Sequence, residues 1–184
     1  MSATPGPDVL ARVPGADSAM PLQVQPLTGG LASRSFLVTT SRGRYVVRLG
    51  TDYDTLLAID RCVETRVQRL AAGAGVAPRV VDADIASGLL ITEYVDGRGW
   101  TAAAFADPRQ IDRLGAQLAA LQAIDTRSTP ALARLDPVAL ARGYVQRIVA
   151  AAPEEQRHLA PLLIESERRW RDSGAFARSP VLAH

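Results

Sequence analysis

Short alternating apolar runs occupy the first half of the chain and helical stripes occupy the second. Leu22 to Leu27 alternates as a strand and is broken by Thr28-Gly29-Gly30. Phe36 to Thr40 and Tyr45 to Leu49 are β-prone runs joined through Ser41-Arg42-Gly43, which is hairpin spacing. From Leu56 the period changes. Leu56, Ile59, Val63, Val67 and Leu70 recur every three or four residues, and Gly73 and Gly75 stop the run. Pro78 to Ala83 and Leu89 to Val95, on either side of Ser87-Gly88, predict a second hairpin. Asp96 to Gly99 reads as a joint.

Beyond it, Asp107-Pro108 and Asp136-Pro137 each pair a capping acid with proline at the first helical position. Pro153-Glu154-Glu155 opens a third helix with acids in the first turn, where the helix dipole favours them. The buried stripes expected on these helices are Ile111, Leu114, Leu118 and Leu121; Val138, Ala141, Val145 and Ile148; and Leu159, Leu162, Leu163 and Trp170. Gly174 ends the third helix, and Ser179 to His184 begins another β-prone stretch.

This order predicts an α+β fold with segregated lobes, because runs of strands precede runs of helices instead of alternating with them. The expected division is a flexible N-terminus over 1–20, a five-stranded antiparallel lobe with one helix over 21–95, a hinge over 96–100, and a helical part over 101–184.

Composition narrows the function classes. Hydrophobic residues make up 47% and charged residues 22%, a globular balance. The net charge is +2, and all 21 basic residues are arginines interleaved with acids. A nucleic-acid binder would show a clustered basic face, so none is expected as partner. No apolar run approaches the roughly 20 residues of a membrane span, and no signal-peptide pattern opens the chain. One cysteine and two histidines exclude an internal disulfide and a structural zinc site, and the expected location is cytoplasmic.

Four features carry chemistry: Gly29-Gly30 between the first strands, Arg48 near the end of the third, Glu64 in the following helix, and Thr92-Glu93-Tyr94-Val95 leading into the joint. Each has a plainer reading. Gly29-Gly30 alone is a hairpin turn and Arg48 a solvated strand-end charge. Glu64 alone is a surface acid for Arg61 or Gln68, and Asp60 is a rival partner for Arg48. Cys62 reads as packing and His158 as a surface histidine.

Taken in order, the four features resemble the upper lobe of a protein-kinase-like fold. The resemblance is closer to the aminoglycoside phosphotransferase and choline kinase superfamily. It is carried by Leu27 to Phe36, Arg44 to Leu49, Ile59 to Glu64, Ile91 to Gly97 and Val181 to His184. Arginine at the usual lysine position, and the Ile-Asp-Arg…Glu spacing, look most like the choline and thiamine kinase branch. The resemblance implies ATP and magnesium as cofactors and a small hydroxyl-bearing molecule as acceptor. It implies a nucleotide site at Gly29, Gly30, Ser33, Arg48, Glu64, Glu93 and Val95, with the Glu93 carbonyl and Val95 N–H reading the adenine edge.

The physics is consistent with this. Glycines let backbone N–H groups approach phosphate oxygens, a guanidinium offers a planar fork of donors, and a carboxylate orients that fork. His184 would be the first residue of the catalytic loop. The catalytic aspartate and the metal ligands are then expected outside the chain, leaving it catalytically incomplete. The alternative is a non-catalytic, pseudokinase-like module that binds nucleotide or a partner. The blandest reading is a small α+β interaction domain with no ligand.

Overall fold

The computed structural model describes residues 4–16, 22–28, 33–51, 54, 57, 59–126 and 136–174. They fall into two compact units, one holding the described residues up to 126 and the other those from 136 to 174.

The first unit is built on the expected five-stranded antiparallel sheet: β1 (Gln23–Leu27), β2 (Arg34–Thr40), β3 (Gly43–Leu49), β4 (Val80–Asp84) and β5 (Leu89–Glu93). The strand order is β1-β2-β3-β5-β4. The two hairpins form as their turn residues predict, β2 against β3 and β4 against β5. The sequence did not set the β3–β5 pairing, in which Val47 lies opposite Ile91 and Arg48 opposite Leu90. A backbone crossing supports this joint. Gly50 N–H donates to the Gly88 carbonyl at 2.9 Å, and a Cβ on Gly88, which sits at φ +66°, would lie 3.1 Å from Gly50 Cα. Only glycine fits there without displacing the backbone.

Alternation separates two faces of the sheet. One face carries the core: Phe36, Val38, Tyr45, Val47, Leu89 and Ile91. Its cover is unexpected. Residues 4–16 fall within the stretch expected as a flexible lead-in, yet they contain helix α1 (Pro7–Leu10) and place Val13 in the core at 2% exposure. The physical reason is tertiary. One valine, flanked by Val9, Leu10 and Ala16, closes an otherwise open apolar face. Polar clamps fix the segment. Thr40 Oγ1 donates to the Pro14 carbonyl at 2.8 Å, and Arg12 donates to Asp82 from Nε at 2.6 Å and from Nη2 at 3.0 Å.

Arg12 holds the Asp82 carboxyl below its usual range, chiefly through that hydrogen bond. A carboxylate with a lowered folded-state pKa stabilises the fold at pH values above its unfolded pKa, near 3.8, and that contribution is lost as the pH falls through the lowered value. Asp82→Asn should therefore flatten the acid limb of the stability–pH curve below about pH 4. Acid titrations of the two proteins, followed by circular dichroism, check this, and superimposable acid limbs would contradict it.

Helix α2 (Arg61–Gly73) begins later than the apolar stripe suggested. Asp60 caps it, accepting from Cys62 N–H at 2.8 Å and Val63 N–H at 3.0 Å. The cap fixes the start at Arg61, whereas Leu56 lies outside the described residues. Gln68 Nε2 donates to the Pro78 carbonyl at 3.0 Å and ties the helix to the approach to β4.

Residues 94–101 form neither helix nor strand. Helix α3 (Ala102–Ala106) follows, and then α4 (Pro108–Gln122), which Asp107 caps by accepting from Arg109 N–H. The stripe expected to be buried on α4 is not: Ile111 and Leu118 are each 42% exposed. Leu114 is 36% exposed and Leu121 half-buried. Periodicity identifies which side of a helix is apolar, not whether a partner is present.

The second unit holds α5 (Pro137–Ala151), a 3₁₀ turn (Pro153–Glu155) and α6 (Gln156–Asp172). Asp136 caps α5 as expected, accepting from Val138 and Ala139. The third helix starts as 3₁₀ and becomes α-helical at Gln156. Arg142 of α5 meets Glu167 of α6 at 2.6 Å. Ile148 and Leu162, expected inside, are exposed. The β-prone stretch Ser179 to His184 lies outside the described residues.

Candidate functional site

The second face of the sheet, opposite the core, is chemically mixed. Ser35, Val46, Arg48, Leu90 and Thr92 point to that side, and with Pro78 and Glu93 to Val95 they line a cavity of about 360 Å³. Arg48 reaches this face because β3 alternates, with Tyr45 and Val47 in the core and Val46 and Arg48 on the reverse.

Helix α2 supplies the carboxylate. Arg48 Nη2 lies 2.9 Å from Glu64 Oε1, the pairing expected from the sequence. The rival reading of Glu64 is also present, because Arg61 Nη1 donates to Glu64 Oε2 at 2.7 Å. One carboxylate thus serves two guanidiniums, one through each oxygen. Asp60 does not compete for Arg48, since its carboxylate is occupied as the cap of α2.

Arg61 is the most enclosed charge of the group, with its side chain 9% exposed. It donates from Nε to Asp54 Oδ2 at 2.7 Å, again to Asp54 from Nη2, and from Nη2 to Ser33 Oγ at 3.2 Å. These bonds raise the Arg61 pKa and hold the Asp54 carboxyl below its usual range, the Arg61 hydrogen bond being the main cause for Asp54. Arg61 and Asp54 were not among the expected site residues. Arg61 belongs to the Ile59 to Glu64 run that carries the resemblance and was a possible partner of Glu64, with no site role of its own, and Asp54 was not singled out.

Of the expected site residues, Ser33, Arg48 and Glu64 form one connected group. Glu93 and Val95 line the adjacent cavity. The Glu93 side chain pairs with Arg79, its N–H donates to the Arg79 carbonyl at 3.0 Å, and the Tyr94 N–H donates to the Arg44 carbonyl. Among the described residues the Val95 N–H has no acceptor. Gly29, Gly30 and His184 lie outside the described residues.

Two features suit a polyanion with a flat hydrogen-bonding group at its other end. The Arg48–Glu64 ion pair puts a guanidinium on the cavity wall, and its planar fork carries more N–H groups than one carboxylate oxygen engages. Such a fork can hold an anionic oxygen by charge-assisted hydrogen bonds. Val95, 64% exposed, lines the same cavity, and its N–H is a second donor there. Among the described residues no group of three or more His, Cys, Asp or Glu side chains could hold a metal ion, and no helix is long and apolar enough to cross a membrane.

A family model, described as the phosphotransferase enzyme family, matches residues 23–184. Three solved structures share the architecture. A choline/ethanolamine kinase family protein from Mesorhizobium loti aligns with a TM-score of 0.54 and 26% identity, covering 77% of this chain and 44% of its own. Choline kinase from Cryptosporidium parvum aligns at 0.64 with 18% identity, covering 88% and 48%. Choline kinase LicA from Streptococcus pneumoniae aligns at 0.53 with 20% identity, covering 77% and 52%. The chain therefore spans about half the length of these structures. No curated protein sequence matches it significantly.

Proposed function

The chain belongs to the phosphotransferase enzyme family, and on that premise we propose that it holds the nucleotide of an ATP-dependent kinase whose acceptor is a small hydroxyl-bearing molecule of the choline, ethanolamine, thiamine or aminoglycoside kind. The observation that carries this reading is the Arg48–Glu64 ion pair at 2.9 Å, with Arg48 lining the same cavity as Glu93 to Val95.

In this reading Arg48 grips phosphate oxygens through its fork while Glu64 keeps the fork on the cavity side. The Val95 N–H and the Glu93 carbonyl take the adenine edge, and the apolar walls from Val46 and Leu90 cover its faces. Bound ATP supplies the phosphoryl group. These residues bind and orient it, which is where much of the catalysis of phosphoryl transfer lies.

Titrating the full chain with ATP and ADP tests the proposal, with melting temperature and calorimetry as readouts. Both nucleotides should raise the melting temperature. Arg48→Ala removes a charge-assisted contact worth about 1.5–3 kcal/mol, so the Kd for ATP should rise roughly ten- to a hundredfold. Equal affinities would remove Arg48 from the site, and a chain indifferent to both nucleotides would sink the reading. Binding without transfer to any acceptor would favour the non-catalytic module.

A further inference from the structure

We propose that Arg61 is a positioning residue for the phosphate grip: it occupies Asp54 and one oxygen of Glu64, so that Arg48 is left one carboxylate oxygen to steer it and a donor for the nucleotide. The inference rests on the nucleotide reading above and extends it to a residue outside the expected site.

The contacts define the division of labour. Among the described residues, two guanidiniums and two carboxylates meet in this group. Asp54 is engaged twice by Arg61, and Glu64 is shared between its two oxygens. Asp54 already feels the Arg48 charge, which lowers its pKa as a lesser contribution beside the Arg61 hydrogen bond. Take Arg61 away and Asp54 has Arg48 as its remaining cation. Two carboxylates would then compete for the fork meant for phosphate.

Arg61 also reaches Ser33, three residues after the Gly29-Gly30 pair in sequence, at 3.2 Å. One side chain therefore joins the residue that precedes β2, the connection after β3, and α2, beside the proposed phosphate grip. A lysine could not substitute fully, because a single ammonium lacks the fork that meets Asp54, Glu64 and Ser33 together.

The experiment measures binding of ATP and of adenosine, which lacks phosphates, to the full chain and to Arg61→Ala, Arg61→Lys, Arg48→Ala and the Arg48→Ala/Arg61→Ala double variant. Arg61→Ala should weaken ATP about fivefold and leave adenosine unchanged. Arg61→Lys should fall between it and the wild type. The double variant should bind ATP as Arg48→Ala does alone, since a residue acting through Arg48 adds nothing once Arg48 is gone.

Parallel losses of ATP and adenosine would reduce Arg61 to a structural residue. Unchanged ATP binding, or losses that multiply in the double variant, would also overturn the inference. If Arg61→Ala does not fold, Arg61→Lys alone and in the Arg48→Ala background carries the same comparison. A wild-type chain that binds neither compound defeats the nucleotide reading itself. A chain that loses ATP on Arg48→Ala but not on either Arg61 substitution defeats only the positioning role.

Discussion

Ile91→Ala should cost the sheet unit about 2–5 kcal/mol and lower its melting temperature by upwards of roughly 10 °C. Ile91 is fully buried in β5, between β3 and β4. It lies opposite Val47 in the register and shares the core with Phe36, Val38 and Val13. Alanine there removes three carbons that touch both strand neighbours and the N-terminal segment. A sheet held by backbone ladders on both sides cannot collapse to fill the gap, so a cavity term adds to the lost transfer energy. Ile111→Ala is the internal control. That side chain is 42% exposed, and its truncation should change stability by less than about 0.5 kcal/mol. Urea unfolding of the three proteins gives the comparison. If Ile91→Ala and Ile111→Ala shift the midpoint alike, the core is not where Ile91 places it.

The contrast between those two isoleucines also shows what the sequence can specify. Alternation and turn chemistry are local, so both hairpins and the caps at Asp107 and Asp136 were legible from neighbouring residues. Which hairpin edges meet is decided by packing, and the β3–β5 pairing appears only when Gly50 and Gly88 are seen to touch. Val13 was hidden by its setting. A single valine among Pro, Gly and Ala carries no period, yet its burial turns an expected lead-in into a cover for the sheet.

The candidate site divides in the same way. Arg48 and Glu64 were legible because family spacing marks them. The pairing of Asp54 with Arg61 was not, since an enclosed guanidinium and its acid partner resemble any two surface charges until three-dimensional contact closes the group. Stripes such as Ile111-Leu114-Leu118 were read correctly as apolar but wrongly as buried.

Glu64→Gln is the sharpest probe of that closed group, and it should destabilise the unliganded chain by about 2–3 kcal/mol. The figure sits between the small worth of an exposed pair and the larger cost of breaking a buried one, because both Arg48 and Glu64 keep about 30% of their side-chain surface. Glutamine preserves shape and removes charge. Its amide presents one acceptor oxygen and one NH₂, so one of the two guanidiniums must face a donor. Among the described residues of the group, two cations then face the one carboxylate of Asp54.

Salt should soften the loss, since screening weakens the repulsion between the guanidiniums. Adding Arg48→Met to Glu64→Gln should recover stability relative to the single variant. That substitution removes the cation left without a carboxylate, and Arg61 keeps Asp54. Breaking one side of an ion pair costs more than replacing both sides with groups that fit. Urea midpoints at low and high salt for the wild type, the single and the double variant measure all three expectations. An unchanged midpoint for Glu64→Gln, or a double variant weaker than the single, would mean that Glu64 does not hold the two arginines apart.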